Sequence, residues 1–277
     1  MYLNTTHKKN LSLFYLACFV LTQGWLLYTG QLLHQLKPVF FVNRLDLTLN
    51  LLLLTNIQLC IMQHYWLQWL LDTIYFLLPV FMYFCVIKNY KAQYFIAFIS
   101  LFFNTAYLLL LSSFSTLSIE GMVCWMVVPV IFIARSDRSF YYINNLVRYF
   151  FILIFSSAAL WKIRAGGIFN IEQLSGILIK QHAAYLTSAP DDWFSRFINF
   201  LVTHPVLGYI IYLASTIGEL IFITGFFTKK YDKVLCLVFI LFVLLDLFLM
   251  RINYFSWLVF LGSFWYAQYK EPVPAKI

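Results

Sequence analysis

Long, continuous apolar runs recur along this chain and restrict its fold more than any other feature. Crossing about 30 Å of hydrocarbon takes ~20 helical residues. Segments near 11–33, 47–64, 70–87, 92–111, 119–134, 146–163, 206–227, 233–250 and 254–268 supply or approach that length. Charged residues make up 11% of the 277, where a soluble domain carries about 25%. The runs do not alternate, which excludes the ten-residue, two-sided strands of a membrane β-barrel. The expected fold class is all-α: a polytopic integral membrane helical bundle of about nine spans, organised as a single membrane domain over residues 1–277.

The fifth and ninth runs are short, and a tilted, kinked or partly re-entrant path would accommodate them. Pro79 and Pro129 fall late in their spans, where neighbouring helices can shield the carbonyls they free. The first run follows Lys8 and Lys9 but is long for a cleavable signal, so it reads as a retained span. Alternating nine spans puts most of the 19 Lys and Arg, including Arg135, Arg138, Arg148, Lys229, Lys230 and Lys233, on one side. The positive-inside rule then gives an external N-terminus and a cytoplasmic C-terminus, with Lys8 and Lys9 opposing it. The expected location is a plasma or bacterial inner membrane.

Residues 165–205 form the longest non-spanning section and would face outward. Ala165, Gly166 and Gly167 mark a break after span six, since glycine tolerates turn dihedrals. Ile171, Leu174 and Leu178 then recur at helical spacing, which predicts an amphipathic or re-entrant helix. Ser188–Asp192 should end it and cap a short interfacial helix over Trp193–Phe200.

The formal charge of +8 is spread between apolar runs, not gathered in a basic face, so nucleic acid is excluded as a partner. Membrane lipids and membrane-protein partners remain. Cys18, Cys60, Cys85, Cys124 and Cys236 are far apart and read as buried apolar side chains. His182 and His204 are 22 residues apart and offer no local ligand geometry, so no metal site is predicted.

An ionisable group at membrane depth is costly and defaults to a functional hypothesis. Three such groups stand out. Lys162 ends the small-residue segment Ser156–Ser157–Ala158–Ala159–Leu160–Trp161–Lys162 and would serve as a proton acceptor or anion-binding group, or snorkel to headgroups. Glu219 interrupts an apolar helix, about 12 Å from the inner end of its span. Its possible roles are proton relay, hydrogen bonding to a quinone headgroup, or pairing with a basic residue. Asp246 shares the outer depth of Lys162 and would be satisfied by Lys162 or Arg251, whereas Glu219 is placed elsewhere along the membrane normal. Asp72 and Glu120 sit near span edges and are expected at solvent or headgroups.

From span six onward the chain resembles the membrane domain of vitamin K-dependent gamma-carboxylases and their bacterial relatives, the HTTM family. Ser157–Ala158–Ala159–Leu160–Trp161–Lys162–Ile163 and the later 211–230 stretch carry the likeness. Gly218–Glu219–Leu220–Ile221–Phe222–Ile223–Thr224–Gly225–Phe226 also resembles helices of small, quinone-associated DoxX-like proteins. The resemblance implies that Lys162 acts on a hydroquinone, with Glu219 or Asp246 tuning it and Trp161 beside the cofactor. The family pattern has a histidine-containing helix where this chain has Asp246.

Two functions follow from these readings. One is an integral membrane subunit that anchors or stabilises a larger complex, which the lack of any flavin, nicotinamide or haem motif favours. The other is a quinone-associated oxidoreductase or carboxylase-like enzyme with Lys162 as general base. An ion-coupled transporter using Glu219 and Asp246 is the third.

Overall fold

The computed structural model describes residues 5–36, 54–114 and 123–265, and every regular element among them is helical. In chain order, α1 covers Thr5–Tyr28, α2 Ile57–Gln63, α3 Tyr65–Ile87, α4 Ala92–Phe114 and α5 Val123–Val127. The last continues as a 3-10 helix over Val128–Ile133. Next come α6 (Asp137–Arg164), α7 (Gln173–Ser188), α8 (Trp193–Thr203), α9 (Pro205–Ile221), α10 (Thr224–Phe227) and α11 (Asp232–Met250). A 3-10 helix at Phe255–Phe260 leads into α12 (Leu261–Trp265). Six of the described helices are long and apolar enough to cross a membrane, so the chain is an integral membrane helical protein.

Those six coincide with the apolar runs expected at 11–33, 70–87, 92–111, 146–163, 206–227 and 233–250. The helix over 146–163 begins nine residues early, at Asp137, because the polar stretch Asp137–Asn145 is helical too. Most of the run at 47–64 lies outside the described residues. The two short runs hold apolar helices over Val123–Ile133 and Phe255–Trp265, each part α and part 3-10. Each rises about 20 Å at the spacings of those two helices, short of the ~30 Å core. Pro129 sits at the start of the first 3-10 helix, where its missing N–H leaves no bond broken.

The chain divides into two compact units, one of residues up to Val147 with those from Phe255, the other Arg148–Tyr254. In unit 1, α1 buries Leu11, Tyr15, Phe19 and Gln23 at helical spacing. Phe19 meets Tyr75 and Trp125 edge-on at 5.0 and 5.1 Å between centroids. Two buried amides serve backbone near the 3-10 segments: Asn104 donates to the Trp125 carbonyl at 2.8 Å and Asn144 to the Ser263 carbonyl at 3.0 Å. Irregular backbone at membrane depth needs such partners. Lys8 is buried, and its Nζ donates to the Ala134 carbonyl at 3.0 Å.

In unit 2, α6, α9 and α11 share one side-chain ladder. Arg148 meets Asp232, and seven residues further on Phe155 meets Phe239 and Phe242, so α6 and α11 run parallel. Lys162 meets Glu219, Phe151 and Phe155 meet Phe222, and Tyr149 meets Phe226, so α9 and α10 run antiparallel to α6. Edge-to-face ring pairs fill the middle, each worth about 0.5–1.5 kcal/mol beyond burial.

Gly166, at φ 75°, ends α6 in the left-handed region. The α7–α8 pair then packs Leu174, Leu178, Phe194, Ile198 and Leu201 against Tyr212 and Leu249. Asp192 caps α8, accepting from the Phe194 N–H at 3.0 Å and the Tyr185 hydroxyl at 2.8 Å. The Tyr185 hydroxyl, then the Phe194 N–H, hold its carboxyl below the usual carboxylate range. A lowered folded value means the cap stabilises above the unfolded carboxylate pKa and is lost as pH falls through the folded value. Asp192→Ala should therefore speed amide exchange at the first turn of α8 at pH 7 and leave it unchanged at pH 2; hydrogen–deuterium exchange read by mass spectrometry checks this.

Candidate functional site

Lys162 belongs to the inward stripe of α6 formed by Arg148, Phe151, Ile152, Phe155, Ala159 and Lys162, spaced three or four residues apart. On α9, Gly208, Tyr212, Thr216 and Glu219 form the buried face. Side chains lean toward the N-terminus of their helix, so on antiparallel helices Lys162 and Glu219 lean toward one another. The Lys162 Nζ donates to Glu219 Oε1 at 2.7 Å. The lysine side chain is 27% exposed and the glutamate 2%. The ammonium also lies 5.5 Å from the centroid of the Tyr212 ring, one further turn-pair along the same face. The second glutamate oxygen, Oε2, is buried and has no hydrogen-bond partner among the described residues.

Asp246 lies within electrostatic reach of both members of the pair, with no hydrogen bond to either among the described residues. Depth reasoning, which set Glu219 apart from Lys162, therefore misplaces Glu219. The reason is the excursion: α9 begins beside it, with Gly208 against Leu174 and Tyr209 Oη donating to the Ile168 carbonyl at 2.6 Å. The first turns of α9 thus run past the end of α6, which brings Glu219 to the height of Lys162. Arg251 does not pair with Asp246. It ends α11 at φ 53° and lies over the Tyr185 and Phe194 rings, 4.3 and 4.0 Å from their centroids.

Trp161 stands apart from the pair. It is 62% exposed on the outer side of α6 and stacks under Arg164 at 4.7 Å. One residue is a rotation of about 100° on a helix, so it cannot share the inward stripe with Lys162. His182 is buried and donates Nε2–H to the Leu249 carbonyl at 2.8 Å, fastening the end of α11. His204 is exposed against Phe200. Among the described residues no group of three or more His, Cys, Asp or Glu could hold a metal ion.

Two buried charge clusters escaped sequence reasoning. Arg148, counted there only as a topological charge, is wholly buried. It makes a bidentate ion pair with Asp232, Nε to Oδ2 at 3.1 Å and Nη2 to Oδ1, and donates to the carbonyls of Gly225 at 2.9 Å and Thr228 at 3.4 Å. A signal existed: Arg148 and Lys162 are 14 residues apart, as are Asp232 and Asp246. Two parallel helices with matched spacing align both pairs. Asp72 is the second case, buried where headgroup exposure was expected and bonded to His34 and Tyr107. Glu120 lies outside the described residues.

Gly167 ties the excursion to this site. A Cβ there would stand 2.5 Å from the Tyr212 hydroxyl. Gly167→Ala should push the Tyr212 ring away from Lys162 and cost about 1–3 kcal/mol of overpacking, read as a lowered Tm in detergent.

No protein-family model matches the chain, and no curated protein or solved structure matches it.

Proposed function

We propose that unit 2 holds a membrane-embedded acid–base site for a lipid-soluble molecule with a weakly acidic O–H, of the hydroquinone class. One observation carries this reading: a partly exposed Lys162 bonded to a buried Glu219 whose second oxygen is unpartnered, inside an apolar helix trio. A buried charge pair with a spare acceptor and a solvent- or lipid-facing donor is suited to proton transfer. Glu219 Oε2 accepts the ligand's hydroxyl proton, and the Lys162 ammonium holds the oxyanion that remains. Asp246 adds a second acidic side chain within electrostatic reach of both. The likeness of the segment ending at Lys162 to hydroquinone-handling carboxylase membrane domains supports the same chemistry. Electrons, where a redox step follows, come from the ligand or a partner.

The test is equilibrium binding of trimethylhydroquinone to the protein in phosphatidylcholine nanodiscs, followed by tyrosine and tryptophan emission. Glu219→Gln should weaken binding at least tenfold and Lys180→Gln, on the exposed face of α7, should leave it unchanged. Equal affinity in Glu219→Gln sinks the assignment.

A second reading is that the chain anchors a larger membrane complex. Arg148–Asp232 is the precedent for it, a buried pair that fastens α6 to α11. If Lys162–Glu219 does the same, its variants lose stability and no ligand effect appears.

A further inference from the structure

Lys229, Lys230 and Lys233 crowd the turn from α10 into α11, with Asp232 as the one acid among residues 228–233. That acid is spent inside unit 2, where it is buried and paired with Arg148. The same guanidinium donates to the Gly225 and Thr228 carbonyls, and Thr228 Oγ1 accepts the Lys230 N–H at 3.1 Å. The turn is thus held from within, and the charge it presents outward is positive. Lys229 is partly buried, within electrostatic reach of Arg148 and Asp232. Lys230 and Lys233 are exposed and make no ion pair among the described residues. Around them the surface is apolar. Phe227 is 85% exposed, and the Lys230 ammonium lies 5.6 Å from the centroid of the exposed Tyr231 ring. Beyond Lys233, Leu237, Leu241 and Leu244 follow at helical spacing, each about half exposed. One outer face of α11 therefore reads lysine and then leucine, on the least enclosed of the six spanning helices.

We propose that this turn and the outer face of α11 bind an anionic phospholipid, its phosphate between Lys230 and Lys233 and its acyl chain along Leu237, Leu241 and Leu244. The lipid carries the same order of chemistry along the membrane normal, a phosphate at the boundary and hydrocarbon below it. An ammonium serves a phosphate as a point charge, and the N-terminal end of a 19-residue helix favours an anion at the same place. Basic residues beside a span draw anionic headgroups in this way. A protein helix on this face would need acids set against both lysines, whereas the lipid brings its phosphate to the level where headgroups already lie. The site is at the opposite end of α11 from Asp246 and so stands apart from Lys162–Glu219.

Native mass spectrometry of the full chain, released from nanodiscs of phosphatidylcholine and phosphatidylglycerol in equal parts, counts the lipids that stay bound. The wild type should retain phosphatidylglycerol in preference to phosphatidylcholine. Lys230→Gln with Lys233→Gln should lower that preference about thirtyfold, the combined pull of two lysines on an anionic headgroup. Lys88→Gln with Lys91→Gln, an exposed lysine pair between α3 and α4, should keep the wild-type preference. Equal retention of the two lipids by the wild type overturns the proposal and leaves the α11 face to a partner protein. Equal losses in the two double variants overturn it too, since they mark only the general field of a basic protein. An unchanged preference in Lys230→Gln with Lys233→Gln has the same force. Should that variant not fold, a phosphatidylglycerol with a photoreactive acyl chain decides on the wild type. Labelling concentrated on residues 234–245 supports the site, and labelling spread evenly over the six spans refutes it.

Discussion

Replacing Arg148 by methionine should destabilise the protein by about 3–5 kcal/mol, the usual cost of breaking a buried ion pair from one side. The guanidinium is wholly buried, and its loss leaves the Asp232 carboxylate and the Gly225 and Thr228 carbonyls without their donor. Gly225 makes repair difficult, because its Cα already faces Ile152 and Leu235 so closely that an added Cβ would clash. Removing both charges, as Arg148→Met with Asp232→Leu, should recover most of the loss, since no charge is then stranded. Chemical unfolding in mixed micelles, carried out on the single and double variants, provides the measurement. A double variant as unstable as Arg148→Met would show that the carbonyl contacts matter more than the charge pair.

The second large effect concerns Lys162. Lys162→Met should abolish hydroquinone binding, a loss of at least a hundredfold, because no cation remains to hold the oxyanion beside Glu219. Its stability cost should be below that of Arg148→Met. Lys162 keeps about a quarter of its side chain exposed, so solvent screens part of the pair's attraction. Glu219 can also take up a proton when its partner is gone, as buried carboxyls do. The informative comparison is therefore between the two pairs. A variant with near-normal Tm and no binding marks Lys162–Glu219 as a site, whereas parallel losses of Tm with ligand binding intact mark it as a second fastening. Restoring the charge as Lys162→Arg should recover stability but bind poorly, because a planar guanidinium directs its protons differently from an ammonium.

The membrane class and most helices were legible because burial in lipid demands long apolar runs whatever the helices touch. The stripe from Arg148 to Lys162 was missed, although helical periodicity puts those residues on one face. Helix ends were less legible: hydropathy marks where lipid begins, whereas backbone hydrogen bonding carries α6 back to Asp137 through polar residues. Trp161 illustrates a local rule that outweighs a motif, because its neighbour Lys162 faces inward and it must therefore face out.

Sequence by itself determined which side chains could meet, by residue type and by spacing on each helix. Lys162, Glu219 and Asp246 were identifiable as charges that lipid would reject, whereas the shared 14-residue spacing on α6 and α11 went unread. Only the tertiary structure decided the partners. The packing of 165–201 beside the start of α9 shifted that helix along α6 until Glu219, not Asp246, lay within 2.7 Å of Lys162. Within unit 1, tertiary packing likewise brought Asp72 to His34 and Tyr107, three residues 35 or more apart in sequence. Periodicity constrains rotation about one helix axis; the slide of one helix along another depends on packing between distant segments, which no local pattern encodes.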